Sequence, residues 1–116
     1  MKRLPATFGC PVELSLELLG GKWKPVILAR LKQGPMRYSD LRRQIPALSD
    51  KMLTQRLSDL KAAGLVEQSG DAGAGPYRLS ARGETLKPVL QALYDWGRDQ
   101  AAVLPVRVDP ASLPTL

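Results

Sequence analysis

Residues 49 to 64, Ser-Asp-Lys-Met-Leu-Thr-Gln-Arg-Leu-Ser-Asp-Leu-Lys-Ala-Ala-Gly, constrain the fold more than any other stretch. Ser49 is an N-cap residue and Gly64 a terminating glycine, so together they predict one helix between them. Leu53, Leu57 and Leu60 fall on one face at i, i+4, i+7 spacing. Lys51, Gln55 and Ser58 fall on the opposite face, flanked by Met52, Thr54 and Asp59. A helix with a narrow apolar back and a hydrogen-bonding front has two uses. It is a surface helix with a solvated face, or it enters the DNA major groove, whose base edges such side chains read.

The flanking residues separate the two. Ser39 to Ile45 reads as a short helix with Leu41 and Ile45 inward and Arg42 and Arg43 outward. Pro46-Ala47-Leu48 makes a tight link from it to Ser49. Two helices so joined, the second polar outside, match a helix-turn-helix. After Gly64, Leu65 to Gln68 reads as a strand and Tyr77 to Ser80 as its return. Ser69 to Pro76, with three glycines and a proline, is the loop between them. The fold class is therefore mainly α with a small β-hairpin, a winged helix-turn-helix.

Residues 11–19 read as a helix opened by Pro11, with Val12, Leu16 and Leu19 on one face and Leu14 and Leu18 on another. Gly20 and Gly21 end it, and Trp23 to Gln33 forms the next, with Val26, Ile27 and Leu31 inward. Ser80 is expected to cap one long helix running to about Leu104 and kinked at Pro88. Leu86, Leu90, Leu93, Gly97 and Leu104 lie along one line of it, flanked by Val89, Trp96, Val103 and Tyr94. A helix apolar on two faces needs two partners, and the final stripe is wider than one small domain requires. A homodimer through the first and last helices is expected, with Leu14, Leu18, Leu86, Leu90, Leu93 and Trp96 at its interface. The chain divides into an N-terminal arm (1–9), the winged domain with its dimerisation helix (10–104) and a flexible proline-containing tail (105–116).

Charge supports a polyanionic partner. The net charge is +6, and residues 1–45 carry it, with nine Lys or Arg against three acids. The chain has no histidine and one cysteine, Cys10. That argues against an enzyme working through histidine, against an internal disulfide and against a cysteine-cluster metal site. No cofactor is expected. Without an apolar leader or membrane span, the expected location is the cytoplasm.

The ordered set Cys10-Pro11, Gly20-Gly21-Lys22-Trp23, Gly34-Pro35-Met36-Arg37-Tyr38-Ser39-Asp40-Leu41, Ile45 through Leu57, Gly64-Leu65-Val66, Tyr77 through Gly83 and Leu86-Lys87-Pro88 through Trp96-Gly97 resembles the HxlR-type family of bacterial winged-helix regulators, relatives of the MarR group. The resemblance spans roughly residues 8 to 100. It implies a homodimeric transcriptional regulator with the Ser49 helix in the major groove and the hairpin near a minor groove. It also implies that a cysteine at the position of Cys10 senses oxidants or electrophiles in some members.

Base-edge candidates are Lys51, Thr54, Gln55 and Ser58. Backbone candidates are Arg37, Tyr38, Ser39, Arg42 and Arg43, at or within the helix that crosses the phosphates, with Ser49, Arg56 and, at the wing base, Arg78. The wing tip carries Asp71 and no Lys or Arg, so weak tip contacts are expected, and Asp50 would repel a nearby phosphate. Cys10 is either a sensor or interface packing. Phe8, Trp23 and Trp96 either cradle a small-molecule effector or pack. The expected partner is double-stranded DNA bearing a pseudo-palindromic operator. The alternative is a winged-helix module that contacts protein instead of DNA.

Overall fold

The computed structural model describes residues 4–108, and the expectations for residues 1–3 and 109–116 of the arm and tail lie outside them. The elements are α1 (Pro11–Leu19), α2 (Trp23–Leu31), α3 (Tyr38–Gln44), α4 (Asp50–Ala62), β1 (Val66–Gln68), a 3-10 turn (Asp71–Gly73), β2 (Tyr77–Leu79), α5 (Ala81–Glu84) and α6 (Lys87–Val103). Ser49 caps α4 as its sequence position requires, its Oγ accepting from the Met52 N–H at 3.1 Å. Such a cap is worth about 1 kcal/mol. At the other end Gly64 takes φ of +77°, a conformation other residues adopt only under strain.

Leu53, Leu57 and Leu60 on the back of α4 are at most 1% exposed. They meet Ile27, Leu28 and Leu31 of α2 and Leu41 of α3. Ile45 and Leu48 from the turn, and Leu65, Val66, Leu79 and Leu90, close the core. β1 and β2 pair antiparallel, with Val66 opposite Leu79 and Gln68 opposite Tyr77. A bridge between Met36 and Tyr77 ties the hairpin to the residues that lead into α3. Helix-turn-helix and wing are thus one packed unit.

The C-terminal region corrects the sequence expectation. Ser80 does not open one long helix. It caps α5, accepting from the Gly83 N–H at 3.0 Å, and α5 stops at Glu84. Pro88 does not kink a continuous helix; it stands in the first turn of α6. A proline inside a helix loses a bond and drives its ring against the carbonyl four residues back, here that of Glu84; in a first turn neither penalty applies. The chain therefore turns at Thr85-Leu86 and starts again.

The apolar line of α6 also divides. Leu90 is 3% exposed and Leu86 is half-buried against the core, so these two, expected at a dimer interface, offer a partner little surface. The residues turned outward are Val89, Leu93, Trp96 and Val103, at 44, 50, 66 and 75% exposure. Three- and four-residue steps place these on one ridge, about a quarter of a turn from the Leu86-Leu90 line.

Candidate nucleic-acid interface

The front of α4 is formed by the fixed back of the same helix. With Leu53, Leu57 and Leu60 anchored, helical geometry turns Lys51, Thr54, Gln55 and Ser58 to the outside, and all four are exposed. Lys51 has no hydrogen-bonding or ionic partner among the described residues. Gln55 is held along its own helix, Nε2 donating to Asp59 Oδ1 at 2.9 Å. Arg56 lies to the side and pairs with Asp59 across 3.4 Å.

A polar cluster joins α3 to α4. The Tyr38 hydroxyl donates to the Asp50 carboxylate, with the Asp50 carbonyl at 3.1 Å and Thr54 Oγ1 at 3.2 Å. Arg42 Nε stands 3.6 Å from Asp50 Oδ1, and its Nη1 donates to the Leu48 carbonyl in the turn. Burial first, then the bond to Asp50, raise the Tyr38 pKa above its ordinary value. The phenol therefore stays a neutral donor throughout the physiological range. The sequence shows Asp50 as a charge that suits the N-terminus of α4 and would repel a nearby phosphate. The structure places Arg42 and Tyr38 against it, so its charge is locally offset and it fixes the angle between the two helices. No spacing rule reveals this, because Tyr38 and Asp50 meet only across the turn.

The other backbone candidates differ in their freedom. Arg37, at the N-cap of α3, is exposed and has no side-chain partner among the described residues. Ser39 is exposed beside it. Arg43 pairs with Asp40 on its own helix. Arg78 reaches across the hairpin to Glu67, Nη2 to Oε2 at 3.1 Å, so a phosphate would have to compete with that carboxylate. Ser49 Oγ is occupied by its cap bond.

Arg37, Tyr38 and Ser39 face the wing residues Gln68, Ala74 and Gly75 across a shallow cleft of about 320 Å³. Gln68 braces that cleft. Its Nε2 donates to the Gly75 carbonyl at 3.0 Å, and its Oε1 accepts from Lys61 Nζ of α4 at 3.1 Å. The sequence shows Gln68 only as a strand residue; its bracing role appears once the hairpin folds back on α4.

Cys10 is exposed at the N-cap of α1, next to a helix on which Val12, Leu14 and Leu16 are 61, 38 and 65% exposed. Leu18 and Leu19 of α1 share a crevice of about 180 Å³ with Leu86 and Val89 at the start of α6, so the apolar surfaces of the two helices adjoin. Trp23 packs against the core with Lys22 Nζ 4.4 Å from its ring centre, whereas Trp96 stands out from α6. Among the described residues, no helix is long and apolar enough to cross a membrane.

The HxlR-like helix-turn-helix family model matches residues 18–104. Over 93 residues the chain is 44% identical to YkvN, an uncharacterised HTH-type transcriptional regulator of Bacillus subtilis (strain 168), covering 78% of this chain and 79% of that one. The redox regulator HypR in its reduced form superposes with a TM-score of 0.73 at 33% identity, over 81% of this chain and 96% of HypR. Quinone-bound YodB from B. subtilis superposes with a TM-score of 0.66 at 33% identity, over 78% of this chain and 99% of YodB.

Proposed function

The chain belongs to the HxlR-like helix-turn-helix family, and on that premise we propose that it is a homodimeric, sequence-specific DNA-binding regulator of transcription acting in the cytoplasm. The observation that carries this reading is the exposed row Lys51, Thr54, Gln55 and Ser58 above a fully anchored helix back, with the unpartnered Arg37 beside it. Lys51 and Gln55 read base edges. Arg37 and Ser39 bind the phosphates of a strand that runs through the cleft between α3 and the wing. Arg42, Arg43, Tyr38 and Arg78 are secondary, since each already has a partner in the free protein. The relatives are transcription regulators, which favours DNA over a protein as the ligand, and no catalytic step is proposed.

Selection of bound duplexes from a random pool tests the reading, with a two-fold operator of half-sites about 10 base pairs apart, or a multiple, as the expected product. On that operator two variants should fail differently. Gln55→Ala should lose about 1–3 kcal/mol at one base pair and relax the preference there. Arg37→Ala should weaken all sequences alike and lower the salt slope by about one. Equal, sequence-independent losses from both would remove Gln55 as a reader, and recovery of no preferred sequence would defeat the function.

Cys10 is proposed as the signal-receiving residue. It lies before the residues matched by the family model, so its support is its exposure beside the apolar face of α1 and the redox character of HypR. With one cysteine per chain, an oxidant would couple it to Cys10 of a second copy or to a small thiol, and a quinone would add to it as a thioether. Oxidant or quinone should shift operator affinity in the unmodified protein and leave Cys10→Ser unmoved, with equal basal binding in both. Unchanged affinity after quantitative thiol modification would reduce Cys10 to packing.

A further inference from the structure

Both carboxylate oxygens of Asp59 are held by residues of its own helix, α4. Gln55 Nε2 donates to Oδ1 at 2.9 Å, and Arg56 Nη2 lies 3.4 Å from Oδ2. Residues three and four apart meet on the same flank of a helix, which is why Gln55 and Arg56 both reach Asp59. The Asp59 side chain is 17% exposed, so it is sheltered, while Gln55 above it is exposed. Arg56 holds the second oxygen and stops the carboxylate from swinging away.

The chemistry of the pair fixes more than a position. An ionised carboxylate offers acceptors only, so Gln55 must turn its NH₂ toward Asp59 and cannot turn its carbonyl there. The amide then presents Oε1 and its second N–H outward. An acceptor beside a donor complements adenine, which shows N6–H₂ and N7 in the major groove. Guanine shows two acceptors, O6 and N7, and would meet Oε1 with repulsion. A glutamine that nothing holds turns its amide over and can offer N–H groups to guanine instead.

We propose that Asp59 is the positioning residue for base specificity, holding the Gln55 amide in the orientation that accepts adenine and rejects guanine. The proposal rests on Gln55 being a base reader and adds to it the identity of the base. Asp59 is sheltered on the flank of α4, and alanine, smaller and a good helix former, keeps the helix there without adding volume.

The test uses the whole protein on its selected operator, varied at the one base pair whose preference Gln55→Ala flattens. The unmodified protein should favour adenine over guanine there by about 5- to 150-fold, the span of a bidentate contact. Asp59→Ala should shrink that ratio by about threefold or more while preferences at other positions stay. Asp59→Asn should shrink the ratio as well, because its amide offers a donor beside its one acceptor, and with Arg56 on the carbonyl oxygen nothing obliges Gln55 to turn its NH₂ inward. If Asp59 acted only by repelling phosphates, both variants would bind every sequence more tightly with the ratio unchanged, and that outcome overturns the proposal. So does a guanine preference in the unmodified protein. A position flattened by Gln55→Ala but not by Asp59→Ala refutes the positioning alone; no position flattened by Gln55→Ala refutes the reader and the proposal together.

Discussion

Leu93→Glu should leave the protein folded but monomeric, and should lower its affinity for a two-half-site operator by at least about 100-fold. Leu93 is 50% exposed at the middle of the outward ridge of α6, flanked by Val89 and Trp96. A carboxylate there costs the monomer almost nothing because water still reaches it. At a subunit interface the same carboxylate would be desolvated opposite apolar side chains, a loss of several kcal/mol. Once the subunits separate, the second half-site contact is no longer linked to the first, and the gain from effective concentration disappears. Sedimentation at micromolar concentration, with titration of full and half operators, reads both effects. A monomeric unmodified protein, or a Leu93→Glu variant that remains dimeric, would defeat the proposed interface. Leu90→Glu is the contrasting variant: three residues away on the same helix, it should unfold the monomer, because Leu90 lies in the core.

Gly83→Ala should destabilise the fold by about 3 kcal/mol, the upper end of the usual cost of overpacking. A methyl group there would fall onto the Leu65 carbonyl oxygen and crowd the Leu79 side chain at 3.3 Å. Neither neighbour is free to yield. The Leu65 carbonyl accepts from the Ser80 N–H at 3.0 Å, and Ser80 Oγ bonds both the Gly64 carbonyl, at 2.6 Å, and the Gly83 N–H. Displacing α5 would therefore loosen the base of the wing where α4 ends. Chemical denaturation measures the change, and a loss below about 1 kcal/mol would show that α5 can move aside. DNA affinity at temperatures well below the transition should change far less than stability, since Gly83 lies away from the reading face.

The reading helix was legible because its periodicity and both of its ends are local. Ser49, Gly64 and three leucines at helical spacing determine where it starts, where it stops and which side faces out. The hairpin was legible for the same reason: the glycines and proline of residues 69–76 separate two short apolar runs. At Pro88 local reasoning chose wrongly between two local outcomes. A proline either bends a helix or begins one, and the choice depends on whether Glu84 can end its own helix at the Thr85-Leu86 turn.

The interface residues show a further limit. Leu86, Leu90 and Leu93 stand in one apolar line, and periodicity measures how apolar a face is without naming its partner. Packing against the core took Leu86 and Leu90 inward and left Leu93 on the ridge with Val89 and Trp96. The same holds for charge. Asp50 and Arg78 read as isolated charges until the turn brings Tyr38 and Arg42 to the one and the hairpin register brings Glu67 to the other.

The sequence by itself determined the elements as far as the hairpin, the family and the outward face of α4, because caps, breakers and periodicity act over a single turn of chain. Tertiary structure alone decided which side chains remain available to a ligand. Arg37 and Lys51 are free among the described residues, whereas Arg42, Arg43 and Arg78 are engaged, and all five look alike in the sequence. A charged group's availability depends on what stands within a few ångströms of it, and for Arg42 and Arg78 those neighbours come from other elements of the fold.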